Sequence, residues 1–274
     1  MYRKTILNDI YVKGVGSFSG KIVNVKLSSA ISGSGIRIIR KDLKENNIIN
    51  VNGKSNYIAE RYSTTISNGF CKVSLIEHLF SALWCFQITD IDIEVDCDEI
   101  PLLDGSCLYW IIAIESAGIK EYNDEVKIKY IKDEIKIQED DKFIIVKPCN
   151  HLKINYTIDF KNNLIGKNSF TFDEEQNSYI KELSMARTFC LEEHIEEHKK
   201  NKKNFLNDNI IIFGKNSFSI FDNSLRFKNE PTRHKILDFI GDLMSSGEFI
   251  CGDFTCYKSG HKLNIEMLNK ILSI

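Results

Sequence analysis

The 274-residue chain has only three prolines, two tryptophans and six histidines. It has no surplus of one charge either: 36 basic against 38 acidic residues leave a formal charge of -2. That balance excludes a broadly basic surface for nucleic acid or anionic membranes. Its eight cysteines, at 71, 85, 97, 107, 149, 190, 251 and 256, include no CxxC pair, so neither a zinc ribbon nor a thioredoxin-like site is written here. Several lie in apolar runs, where free thiols behave as small hydrophobes. The expectation is a reducing compartment, most simply the cytosol. No apolar run approaches the roughly 20 residues that span a bilayer; the patch from Tyr109 to Ile114 is broken by charge well before that. The opening MYRKTILNDIYVKG lacks the basic, apolar and small-residue order of a signal peptide and alternates like a strand. With 43% hydrophobic and 27% charged residues, the chain can bury one large core or two smaller ones.

Alternation and turn residues predict strands at Ile6 to Val12, Ile22 to Leu27 and Gly35 to Arg40, with a glycine turn from Gly14 to Gly20. A helix is expected over Ser74 to Phe86, with a buried stripe of Leu75, Leu79, Ala82 and Phe86. Strand Ile91 to Val95 and a second helix over Cys107 to Ala117 complete the first half. Glu121 to Glu125 is polar and is the best linker candidate, which puts a boundary near 123. The second half repeats the order. Strands are expected at Ile128 to Ile137, Lys142 to Lys147 and Leu152 to Phe160, helices at Ser178 to Met185 and Pro231 to Ser245, and a last strand near Phe249 to Lys258. The result is an α+β chain of two similar units, 1–123 and 124–274. The Lys/Asn run from Lys199 to Asn209 reads as a solvated loop.

The sharpest local feature is PTRHKILDFIGDL, where His234, Asp238 and Asp242 recur every fourth residue and share one stripe of a helix beside the apolar face of Leu237, Ile240 and Met244. Imidazole and carboxylate at this spacing make half of a zinc site, and equally an ordinary helical His/Asp pair. A catalytic zinc takes three protein ligands and leaves one position open, and His78 in SLIEHLFSAL is the best candidate for the third. Both histidines fall near predicted helix starts, where the neutral imidazole that a metal needs is favoured. Glu77, beside His78, suits a general base for metal-assisted hydrolysis; with Ser74 it also completes a capping-box spacing. Lys258 to Asn264 reads as a glycine-containing turn that presents His261 near two lysines, either a proton donor near an anion or a plain surface turn.

Taken in order, SLIEHLFSAL, IPLLDGSCLYWI, MARTF, LRFKNEPTRHKILDFIGDL and YKSGHKLN closely resemble the zinc-dependent UDP-3-O-acyl-N-acetylglucosamine deacetylases of lipid A biosynthesis, over residues 1 to about 269. The resemblance implies two domains, each a two-layer α+β sandwich, with the active site between them. The first would supply one zinc ligand and the general base; the second would supply two ligands, the acid histidine and an acyl-passage insert at about 188–216. By motif match, His78, His234 and Asp238 would hold Zn2+ and Glu77 would be the base. His261 would protonate the leaving amine or stabilise the oxyanion, and Asp242 would orient and charge it. Thr188 would contact the tetrahedral oxyanion, Phe189 would pack on the sugar, Lys235 would bind a polar part of the substrate, and Phe160 with Asp159 would wall the nucleotide side. The expected partner is the nucleotide-sugar substrate, with no nucleic acid and no transmembrane segment, for a monomer in the cytoplasm. Two departures stand out: Ser17-Phe18 where the family usually has a Leu-His pair, and the Lys/Asn run where it carries a glycine-rich stretch. They motivate the alternative, a non-catalytic, zinc-clamped module that binds a nucleotide sugar or a partner.

Overall fold

The computed structural model describes residues 1–53, 56–60, 62–195, 209–219 and 224–274; of the Lys/Asn run only Asn209 falls among them. In the first half, strands β2 (Ile10–Val15), β3 (Ile22–Ser29), β4 (Ile36–Arg40), β5 (Ile48–Val51) and β9 (Ile91–Val95) form a five-stranded sheet in the order β2-β3-β9-β4-β5. In the second, β12 (Ile135–Glu139), β13 (Lys142–Lys147), β14 (Leu152–Asp159), β15 (Lys167–Asp173) and β19 (Ile250–Tyr257) take the order β12-β13-β19-β14-β15, with β11 (Lys129–Tyr130) added beside β19. The topology is the same in both. The last strand in sequence inserts at the centre, antiparallel to one neighbour and parallel to the other, β4 or β14. A parallel pair needs a crossover, and in each half the crossover carries a helix: α1 (Glu77–Cys85) before β9 and α4 (Glu230–Met244) before β19.

Period-two burial explains the strands. In β4 and β9 the residues Ile36, Ile38, Ile91, Ile93 and Val95 are buried and alternate with the more exposed Arg37, Ile39, Asp92 and Glu94. The inward residues join Leu79, Phe80 and Leu83 of α1 and Trp110, Ile111 and Ile114 of α2 (Leu108–Ala117) in one core. The second sheet is covered by α4 and by α5 (His261–Leu272). Inserted between the fourth strand and the crossover helix are β6 (Asn56–Glu60), β7 (Ser63–Ser67) and β8 (Lys72–Ser74) in the first half. The second half has α3 (Tyr179–Glu182), β16 (Phe189–Leu191), β17 (Ile211–Phe213) and β18 (Phe218–Ser219) there.

Glu121 to Glu125, read from sequence as a linker, is strand. It belongs to β10 (Ile119–Glu125), which pairs with β1 (Tyr2–Ile6), and it is polar because the ribbon is largely exposed. The strand expected at Ile6 to Val12 is therefore two, broken at Leu7 to Asp9. The strand β15 and the helix α5 were not foreseen.

Candidate active site

The two crossover helices lie against each other, and Gly241 of α4 is where they come closest. A Cβ at Gly241 would sit 2.0 Å from the Glu77 carbonyl oxygen, so only glycine allows this approach. The contact sets the first residues of α1 over the middle of α4. Leu75, held at φ 60°, turns the chain into that position. The helix begins at Glu77 with Ile76 as its cap and no side-chain cap bond, while the Ser74 hydroxyl pairs with that of Thr65 at 2.7 Å. The capping box is therefore not formed, and Glu77 points into the site.

His78, His234 and Asp238 are all buried, and one donor atom from each lies within 4.8 Å of the others. Asp238 Oδ1 is 3.2 Å from His234 Nε2 and 3.5 Å from His78 Nε2. His234 Nδ1 faces the Ala186 carbonyl at 3.0 Å. A carbonyl only accepts, so Nδ1 carries the proton and the neutral ring aims its Nε2 lone pair at a carboxylate. Burial lowers the His234 pKa; Asp238 opposes that, and His78 and Lys235 add to it, so the net shift is downward. Burial alone would raise Asp238, but His234 and Lys235 hold it well below the ordinary range; Lys235 Nζ, 2.6 Å from Oδ2, is its charged partner wherever His234 is neutral. Acceptors converging at these distances are mutually repulsive unless a cation joins them. The separations approximate the edge, about 3.3 Å, of a tetrahedron with bonds of roughly 2.0–2.1 Å. His78 Nδ1 is buried without a hydrogen-bond partner among the described residues. Donor types and spacing fit a divalent metal ion such as zinc.

Two titratable groups flank this triad. Glu77, 1% exposed, accepts from the Thr64 amide at 3.1 Å. Burial raises its pKa to about 7; His261 opposes that rise, and Asp238 and Asp242 add to it. His261 is the first residue of α5, where the sequence suggested an exposed turn; it is 6% exposed, and Asp242 explains how a buried ring stays charged. Burial alone would lower His261, but Asp242, with its Oδ2 2.9 Å from Nδ1, outweighs that and raises the pKa to about 9. Asp242 is further held by Thr64 Oγ1 at 2.6 Å and Asn264 Nδ2 at 2.7 Å. His234, Asp238 and Asp242 do not lie at the margin of the apolar face as the helical pattern suggested: α4 is buried nearly all round, because α1 and α5 pack on what would have been its polar side.

The remaining predicted residues surround a small cavity of about 70 Å3 and a wider cleft of about 600 Å3. Thr188, Phe189 and Lys235 line the small one together with Glu77, His78, Asp238 and His261. Asp159 and Phe160 line the wider one, away from the triad; Phe160 meets Phe189 edge-on at 5.6 Å, and Asp159 accepts from the Tyr257 hydroxyl at 2.8 Å. Leu75, Leu102, Cys190, Ile195 and Ile210, with Phe18 packed against them, form a separate apolar cluster on the small cavity. Backbone bonds fix the Thr188 segment: its N–H donates to Gly105 at 2.7 Å and its carbonyl accepts from Ile211 at 2.9 Å. Gly105 lies at φ +84°, and a Cβ there would sit 2.0 Å from the Asn209 oxygen. Next to Thr188, Arg187 is buried and its Nε donates to the buried Glu230 at 2.8 Å. That pair fixes the loop whose Ala186 carbonyl sets the His234 tautomer. Ala186, Gly241 and Asn264 lie inside the quoted motifs and Thr64 outside them, but the local pattern assigns none of them a role, since their partners are distant in the chain.

Residues 3–273 match the UDP-3-O-acyl N-acetylglycosamine deacetylase family. A UDP-3-O-acyl-N-acetylglucosamine deacetylase of Campylobacter lari is 34% identical over 275 residues, covering 99% of this chain and 92% of that one. Proteins of the same name from Coxiella burnetii and Pasteurella multocida are each 34% identical, over 280 and 279 residues, covering 99% of this chain and 90% of theirs.

Proposed function

Because the chain belongs to the UDP-3-O-acyl-N-acetylglucosamine deacetylase family, we propose that the site hydrolyses the acetamide of that nucleotide sugar, releasing acetate and leaving the free amine, as a zinc-dependent enzyme of lipid A biosynthesis. The observation that carries the reading is the convergence of the His78, His234 and Asp238 donor atoms between a buried carboxylate and a buried imidazole that holds its proton to higher pH. On this reading 1–123 and 124–274 are two domains that each supply part of the site, supported by their repeated sheet order. The reading places the enzyme in the cytoplasm; no described helix is long and apolar enough to cross a membrane.

His78, His234 and Asp238 would hold the metal. A bound Zn2+ supplies Lewis acidity at the acetamide carbonyl and lowers the pKa of water toward neutrality. Glu77, once ionised, takes the proton from the attacking water at its carboxylate. His261, charged through Asp242, gives a proton from Nε2 to the departing amine nitrogen or balances the oxyanion's charge. Thr188 contributes its hydroxyl to the oxyanion. Phe189 packs on the sugar, Lys235 binds a polar part of the substrate, and Phe160 and Asp159 wall the wider cleft for the nucleotide. The test is acetate release from UDP-3-O-acyl-N-acetylglucosamine by metal-quantified protein, with a chelator control. Chelator-sensitive turnover at one metal per chain is expected; bound metal without turnover across several acyl lengths would sink the assignment.

A further inference from the structure

The base and the acid of this site sit on different helices, Glu77 on α1 and His261 on α5, and one buried residue of neither helix touches both limbs. Thr64, the second residue of β7, is 0% exposed. Its backbone N–H donates to Glu77 Oε2 at 3.1 Å, and its Oγ1 donates to Asp242 Oδ1 at 2.6 Å. The same Oγ1 lies 3.3 Å from His261 Nδ1. A carboxylate only accepts, so the hydroxyl proton is committed to Asp242 and the oxygen lone pairs face the ring N–H.

We propose that Thr64 is a positioning residue for the hydrolysis described above: through Asp242 it fixes the plane of the His261 ring, and through its amide it fixes the Glu77 carboxylate, so that base and acid are held in one register. The role rests on that reaction. Asp242 receives three donors from two elements: Thr64 of β7 on Oδ1, and His261 and Asn264 of α5 on Oδ2 at 2.9 and 2.7 Å, with His261 Nδ1 also 3.2 Å from Oδ1. The two short contacts on Oδ2 come from the same helix, α5. The Thr64 hydroxyl anchors the opposite oxygen from a different element at 2.6 Å, closer than the ring's own 3.2 Å contact there. The His261 ring is then set with Nδ1 on Asp242 and Nε2 directed toward the cavity, 3.8 Å from Asp238 Oδ2. Thr64 does not line the cavity, so its effect reaches the chemistry only through the groups it holds.

Thr64→Val keeps the shape and the backbone N–H and deletes the hydroxyl; Thr64→Ser keeps the hydroxyl. Both are measured beside the wild type and Glu77→Ala for kcat, KM, metal content and melting temperature. The valine variant is expected to lose about 10- to 100-fold in kcat, the scale of a hydrogen bond to a charged group, with KM changed less than about twofold. Its metal content should stay at the wild-type level, and the serine variant should recover to within about threefold of the wild type, since it restores the charged hydrogen bond. A valine variant with wild-type kcat, or one altered in KM alone, overturns the role while the reaction stands. Should valine fail to fold, Thr64→Ala against Thr64→Ser decides, since both lose the methyl group and differ only in the hydroxyl; equal impairment overturns the proposal. A wild type without turnover, like an unimpaired Glu77→Ala, overturns the reaction and the role with it.

Discussion

Burial holds Glu77 near 7; at His261 burial works the other way and Asp242 overcomes it, to about 9. The rate is therefore expected to rise as Glu77 ionises and to fall as His261 loses its proton, a bell whose alkaline limb belongs to His261. His261→Ala should abolish that limb, and an unchanged descending limb would dismiss the histidine's acid role. The same shifts act on metal-free stability with a definite sign. A histidine whose folded pKa exceeds the unfolded value of about 6.5 contributes stability that is complete below 6.5 and lost as pH rises through about 9. Glu77 is a carboxyl raised from 4.5 to about 7, so it too costs stability as pH climbs through that interval. Metal-free protein should melt at lower temperature at pH 9 than at pH 6, and His261→Gln should flatten the upper part of the slope. Glu77→Ala should keep its metal and lose roughly 100- to 10,000-fold in rate; no cap bond is there to lose. A variant that instead mainly lowers the melting temperature would argue for a structural role.

Among elements, the pairing of α1 with α4 carries the heaviest constraint. Gly241→Ala places a methyl against the Glu77 carbonyl and is expected to cost about 1–3 kcal/mol, as over-packing does. Because the helix that must shift carries Glu77 and His78, activity should fall with the melting temperature; wild-type melting and rate together would refute the contact. Removing Arg187 as Arg187→Met strands the buried Glu230 carboxylate, with an expected loss of about 3–5 kcal/mol by thermal unfolding. These contacts also explain what the sequence could disclose. Strands β9 and β13 were legible to the residue because their alternation sets inside against outside. The α4 segment was legible from its fourfold spacing and its proline at the first turn. The capping box was a misreading, since Ser74–Glu77 has the right spacing while Leu75 leaves helical φ. Strand β10 hid because, largely exposed, it needs no apolar face. Thr64 and Asn264 were illegible for a different reason: their importance lies in partners 178 and 22 residues away.

At the scale of the molecule, both halves present donors to the proposed metal position, so on this reading binding and folding are linked. A metal that binds only the folded form stabilises it by RT ln(1 + [L]/Kd), about 4 kcal/mol at a thousandfold excess over Kd. Chelation should lower the melting temperature of the wild type and leave that of Asp238→Ala unmoved, because the variant should carry neither metal nor activity. An Asp238→Ala protein with full metal and full rate would sink the site. The chain order of the donors adds a constraint in time. His78 leaves the ribosome long before His234 and Asp238, and α5, which brings the acid histidine, comes last. The half-made chain can already close its first sheet, yet it can hold the metal only with a single imidazole. On the proposed metal site, loading would therefore wait until α4 has emerged and docked on α1, and the chemistry would come at the end of synthesis rather than along the way.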